Sequence, residues 1–517
     1  MKHTSLLTSG LLLLQWLGAN SITVSNTTLN ATKSDGIKIT FDLSWQNSWY
    51  LTSGTPQNHD AAWVFAKYRV NNGNWLHLPV DATGTAPYPA TLDIKEGVGV
   101  MVYNNTVAGT GPAAYPGITL ISTTAASAYT PGDQVDVRVF AIEMVHVPQG
   151  QFMLGNNKLS GSDNETRGFS DGDGGYLVSS EGAINVSASD KSPVPNTLQA
   201  NSATVTVGTI PAAYPKGFDA FYCMKYEVSQ ALWVSFFNTL TATQRSARDI
   251  TAAGGKNSDG VVNRNGVAYS GTGEATTTLP AVPINFVSRN DAMAFLDWAA
   301  LRPMTELEYE KAAKGPATPS PGWFAWGNST IKQGARYALA SAGTTTETVT
   351  SGTFATSVGN AVYGGETDNP NVIGSTTASQ GPVYPSGTVG PFRVGIFAGS
   401  TTPATRVQAG ASYYGIMELS GNVAEGVITV ANAAAQSYTG NHGDGTLSAA
   451  GAQDEGWPTG VAIGYRGGWF SGDVTYLMTA DRSLIGSSPN TDTSTNHQTS
   501  SAENARLNYY QMRGVRD

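Results

Sequence analysis

The sequence predicts an all-β sandwich at the N-terminal end, followed by a longer, loop-rich α+β region. Three observations carry that expectation. Short apolar runs of period two, bounded by turn residues, fill the first 140 positions. Capped segments with helical spacing begin only after position 228. Charged residues are just 13% of the 517 while glycines number 59, a composition suited to turns and strands more than to helices.

In Asp35–Trp45 the residues Ile37, Ile39, Phe41, Leu43 and Trp45 share one face, and Lys38, Thr40, Asp42 and Ser44 the other. That is a half-buried strand. Ala62–Val70 and Trp75–Val80 are two further strands, joined by the hairpin signal Asn71-Asn72-Gly73-Asn74. Gly97–Tyr103 and Val135–Phe140 follow, with Pro112, Pro116-Gly117 and Pro131-Gly132 as punctuation between strands. No helix is predicted here, and the set reads as an antiparallel sandwich of immunoglobulin or fibronectin type. His59 and His77 read as isolated surface or turn residues. Trp49, Tyr50 and Trp63 are the aromatics that an exposed binding face would use.

Beyond it, Val145–Gly155 is a strand with a Pro-Gln-Gly turn, and Phe218–Val228 a strand leading into a helix. Ser229 is placed to cap a helix over Gln230–Leu240. Ser288 with Asp291, and Thr305 with Glu308, form capping boxes for two more, the second over Glu306–Lys314. Asp171-Gly172-Asp173-Gly174-Gly175 reads as a flexible loop, because the closing bidentate acid of a calcium loop is missing.

The N-terminus has the form of a secretory signal. Lys2 and His3 precede the apolar run Leu6–Leu17, and small residues follow to Ser21. The expected organisation is a signal peptide at 1–21, a sandwich at 22–142 and a second domain at 143–517, secreted or at the cell surface. No segment is long enough to span a membrane. A net charge of −9 without a basic run argues against nucleic acid as a partner. The single cysteine, Cys223, sits in an alternating apolar run, so no internal disulfide forms and a buried thiol is expected.

One stretch, Tyr413–Gly426 (YYGIMELSGNVAEG), sets Glu418 and Glu425 around a Ser420-Gly421-Asn422 turn. Carboxylates beside inward carbonyls suit a hard cation such as calcium. It stands in an ordered series: Phe152–Gly155, Lys225–Ser229, Val282–Phe286, Leu301–Ala313, Phe324–Asn328, Tyr414–Glu425, Arg466–Trp469 and Arg513–Arg516. Together these resemble formylglycine-generating, sulfatase-modifying-factor-type domains over 143–517. The resemblance implies a C-type-lectin-like fold and a calcium site formed by Glu418, Gly421, Val423 and Glu425. It also implies where catalytic thiolates belong, soon after Arg466-Gly467-Gly468. Here Trp469 to Tyr476 contain no cysteine, so copper-dependent formylglycine formation is not expected. The six histidines form no close pair in sequence, so iron is not expected either. Trp469, Phe470, Asp473, Tyr476 and Tyr509 form either a ligand face or a core. Arg482 and Arg516 are expected to tie loops through buried pairs. The leading expectation is a secreted, calcium-stabilised binding or surface-structural protein whose partner is an extracellular protein, a glycan or another copy of the chain. The rival is an oxidoreductase of the same family acting through a different site, so whether the chain is an enzyme stays open.

Overall fold

A computed structural model describes residues 22–32, 36–130, 132–155, 168–170, 175–188, 197–200, 208–252, 255–256, 262–332, 339–349, 358–364, 390–399, 405–485 and 505–517. The expected signal segment 1–21 and the acidic loop at 171–174 lie outside the described residues.

The first eight strands are β1 (Thr23–Thr32), β2 (Gly36–Tyr50), β3 (Asp60–Val70), β4 (Leu76–His77), β5 (Ala90–Lys95), β6 (Gly99–Asn104), β7 (Gly109–Ser122) and β8 (Val135–Val147). They form two sheets, β1-β2-β7 and a larger one containing β5-β6-β3-β8. The alternation of β2 does what it predicts: Ile37, Ile39, Phe41, Leu43 and Trp45 are buried against Ala62, Val64 and Ala66 of β3 and Val100 and Val102 of β6. Three strands, β1, β5 and β7, escaped the sequence reading. β1 is mostly polar, and β7 carries Pro112 and Pro116. β7 ends its sheet beside β2, with one further bridge from Ala82 to Ile121, so the missing N–H groups at 112 and 116 lie on an edge strand where they are tolerated.

The larger sheet does not end with the sandwich. β8 runs through the expected boundary at 142/143, pairs with β3 from Val135 to Val145, and its end pairs with Phe221–Met224. Gly514–Arg516 and Arg302–Pro303 continue the sheet. One face of β3 meets the sandwich core. The other places Trp63 and Phe65 against Trp298 and Ala299 of the second region. Burial on both faces explains the nearly unbroken apolar run of β3. It also removes Trp63 from the exposed-aromatic reading, since it is fully buried and its Nε1 donates to the Ala299 carbonyl at 2.7 Å.

That pairing corrects the reading of the histidines as isolated. Antiparallel register sets His59 beside His146, whose rings stack at 4.6 Å, and His59 Nε2 lies 3.0 Å from the Tyr222 hydroxyl. His77 lies 3.0 Å from Lys67 Nζ. Burial pushes His59 down to about 4 and His146, helped by the neighbouring His59, down to about 3. The unfolded chain binds these protons first, so stability is full above pH 6.5 and is lost as the pH falls toward 4. His146→Phe keeps the stack and removes one titration. Urea unfolding at pH 6.5 and 4.5 should show an acid-induced loss smaller by about 2 kcal/mol in the variant. Equal losses in both proteins would refute the assignment.

Helices follow the predicted caps. α1 (Gln230–Phe237) starts after Ser229, whose hydroxyl accepts from Leu232 N, and stops at Asn238 instead of continuing to Leu240. α2 (Ala242–Arg248) was not anticipated, although Thr241 and Gln244 make a full capping box. α3 (Arg289–Trp298) and α4 (Glu306–Lys314) carry the boxes at Ser288/Asp291 and Thr305/Glu308. Among the described residues, no helix is long and apolar enough to cross a membrane.

Candidate metal centre

The Tyr413–Gly426 stretch is a buried turn against the sheet end. Glu418, Gly421 and Asn422 all have positive φ, at +55°, +91° and +68°. A side chain at 421 would strike the Val362 carbonyl at 2.6 Å, so glycine is required there by space as well as by backbone. Asn422 does more than turn the chain. Its amide accepts from Phe392 N at 2.8 Å and donates to the Glu227 carboxylate at 2.5 Å. Glu227 also accepts from Val423 N at 3.0 Å.

Three buried carboxylates therefore meet around the turn: Glu227, Glu418 and Glu425. Glu425 is fully buried and accepts from Arg513 Nε at 2.6 Å, while its Oε2 has no partner. Glu418 accepts from Gly395 N at 2.8 Å through Oε1, and its Oε2 also has none. Burial pushes Glu418 up to about 7, with the Glu425 charge adding to the rise against the pull of Arg513. Burial likewise holds Glu227 well above the usual carboxylate range, with Glu418 as its next cause. Three acids around one paired arginine leave negative charge to be met by protons or by a cation. Glu227 was missed as a site residue. It lies in the quoted Lys225–Ser229 motif, but nothing local ties it to a turn nearly two hundred positions away.

Beside this centre, α4 turns its acids inward. Glu308 closes the Thr305 cap and forms a two-pronged pair with Arg302, at 3.0 and 2.7 Å. Glu306 receives Arg482 through Nε and Nη2, both at 2.9 Å, together with Arg466 and Val430 N. Glu310 receives Arg466, Lys314 and Gly155 N. Burial works against the Glu310 charge, but Lys314 and Arg466 outweigh it and hold its carboxyl below its ordinary value. Arg466 is the arginine of the Arg-Gly-Gly motif, so that motif is anchored on α4. Arg482 forms the expected buried pair, whereas Arg516 reaches the Ala300 carbonyl and the exposed Glu96, the latter at 2.9 Å.

The residues after Arg466-Gly467-Gly468 are packed. Trp469, Phe470 and Tyr509 are buried in one cluster, and Trp469 stacks on Tyr476 at 5.0 Å and on Tyr509 at 4.7 Å. Of the five residues named for a ligand face, Asp473 and Tyr476 alone are half-buried, and Asp473 caps a short turn through Thr475 N. No thiol lies here. Cys223 is buried in the central sheet, where burial pushes it up to about 12, far from thiolate character at neutral pH.

A family model described as a sulfatase-modifying factor enzyme 1-like domain matches residues 141–484, more than half of the chain. Over 67 residues, 13% of this chain, the sequence is 39% identical to a formylglycine-generating enzyme of Thermomonospora curvata, and the match spans 22% of that protein. The matched region holds the buried Glu418–Glu425 turn, the acid-lined α4 and the Arg-Gly-Gly anchor, and its one cysteine leaves no catalytic pair. The chain thus belongs to the family of sulfatase-modifying factor enzyme 1-like domains.

Proposed function

We propose that this chain is a secreted member of the family that has given up oxidation and serves in extracellular binding or surface structure, with calcium holding its turn. One observation carries the reading: the stretch where catalytic thiols belong is filled by the packed Trp469–Tyr476–Tyr509 stack. No soft ligand set for copper stands there. For calcium, the donor chemistry fits. Glu418 Oε2 and Glu425 Oε2 are buried oxygens without partners, as a hard cation would require. Glu418, Glu425 and the Gly421 and Val423 carbonyls would hold it, while Arg513 keeps the other Glu425 oxygen. Asp473 and Tyr476, half-buried at the rim of the stack, are the side chains by which a protein or glycan partner would be met.

Metal analysis of the purified full-length protein is expected to find calcium, without stoichiometric copper or iron. A chelator should lower the melting temperature by several degrees, since calcium held at a hundred times its Kd contributes about 2.7 kcal/mol. Glu418→Gln, which keeps the acceptor for Gly395 N, should remove the part of that shift that calcium at this turn supplies. An unchanged melting curve on chelation would sink the calcium reading, and stoichiometric copper would sink the non-oxidase reading.

A further inference from the structure

A second acidic group lies away from the Glu418–Glu425 turn. Asp297 is in the last turn of α3, a position where a negative charge opposes the helix dipole. It is fully buried, and its Oδ1 has no partner. Its Oδ2 receives only a long bond from Asp454 N, at 3.3 Å. The chain from 441 to 457 folds over it. Gly443 N donates to the Leu301 carbonyl at 2.9 Å and Gly445 N to the Asp297 carbonyl at 3.0 Å. Glycine at 443 is what permits this approach: a Cβ there would lie 2.8 Å from Asp297 Oδ1. Asp444 and Asp454 are exposed and Glu455 is half-buried, so the group opens to solvent on one side.

Asp297, Asp444, Asp454 and Glu455 each bring one oxygen within 4.8 Å of all the others. Oxygens on opposite sides of one calcium ion, each about 2.4 Å from it, are about 4.8 Å apart. Lys67 feels the charges of Asp297 and Asp444 but is committed to other partners. Lys67 Nζ is held by the Trp298 carbonyl at 2.9 Å, by the Gly445 carbonyl and by His77, and it forms no ion pair with any of the four acids. Glu455 accepts from Asn441 at 3.1 Å and from the Asp444 backbone, and Asp444 accepts from Thr446 N at 2.7 Å through one oxygen.

We infer that Asp297, Asp444, Asp454 and Glu455 form a calcium site that pins the 441–457 segment to the end of α3, next to the Lys67 side of the sandwich.

The test uses the full-length protein, stripped of metal and titrated with calcium by calorimetry and with terbium by luminescence. Trp298, adjacent to Asp297, and Trp457 are the sensitisers. The unsubstituted chain should give sensitised terbium emission that calcium displaces. Asp444→Asn with Asp454→Asn, both at exposed positions, should lose one calcium equivalent or bind it at least tenfold more weakly, and should lose the emission. Asp297→Asn should do the same. Glu418→Gln should retain the emission, which separates this site from the turn discussed above. Unchanged stoichiometry and affinity in the Asp444→Asn/Asp454→Asn protein would overturn the assignment. So would the absence of sensitised emission from the unsubstituted chain.

Discussion

Replacing Glu306 by alanine is expected to destabilise the protein by about 3–5 kcal/mol, the range for breaking a buried ion pair from one side. Glu306 is fully buried and is the acid that both Arg466 and Arg482 use. Their positions after the loss differ. Arg466 keeps Glu310 at 2.7 Å and the Thr479 carbonyl. Arg482 keeps its seat over the Phe169 ring at 4.0 Å but loses its carboxylate. A guanidinium cannot shed its proton to escape. Val430 N also loses its acceptor, formerly at 2.7 Å, which leaves a buried donor unmet. The double variant Glu306→Ala/Arg482→Met removes the stranded charge and should recover part of the loss. Urea unfolding of the two single variants and the double variant closes the cycle. A Glu306→Ala cost below about 1 kcal/mol, or strictly additive costs, would show that the network does not hold the domain as described.

The same helix shows what could be read in advance. The Thr305–Glu308 box is a three-residue pattern, and α4 begins where it says. What Glu306 and Glu310 do was not legible, because Arg466 and Arg482 stand some 150 or more positions further along the chain. The box gives no sign of the Glu310–Lys314 pair, which is fully buried. Local periodicity found β2, since its alternation needs no partner to be recognised. It failed at β7, because prolines that exclude a central strand are harmless at an edge. The histidine stack was hidden for a third reason. His59 and His146 are neighbours only through the register of β3 on β8, which no spacing encodes. Likewise the turn's two glutamates were visible as a local pattern, whereas Glu227 and Arg513 enter through the sheet. The ordered motifs supplied the family; the chemistry of each motif lies in which distant residue it meets.

Lys225→Met should cost a similar amount, about 3–5 kcal/mol, at the other end of the sheet. Lys225 Nζ sits between Asp60 at 3.2 Å and Glu143 at 3.1 Å, bonds the Asn47 carbonyl at 3.1 Å, and lies 4.7 Å from the centre of the Trp49 ring. All three ionisable groups are buried. It joins the second region to sandwich strands β2, β3 and β8. The two acids are not equivalent. Asp60 collects Trp45 Nε1, Ser48 Oγ and Trp49 N as well as the lysine. Glu143 has an oxygen without a partner, and burial pushes it up to about 8 despite Lys225, with Asp60 adding to the rise. Burial therefore favours the protonated form of Glu143 beside the Lys225 cation. Folding takes up that proton, so this contribution is full below pH 4.5 and is lost as the pH rises through 8. Glu143→Gln imitates the protonated acid. It should cost little at pH 7 and should flatten the decline in stability between pH 5 and 8, by up to about 1.4 kcal/mol per pH unit. Lys225→Met instead strands Asp60, and should lower stability across the whole range. The comparison is made by urea unfolding at pH 5, 7 and 8. If Glu143→Gln proved as damaging at pH 7 as Lys225→Met, Glu143 would be an anion essential to the pair, and the proton would not belong to it.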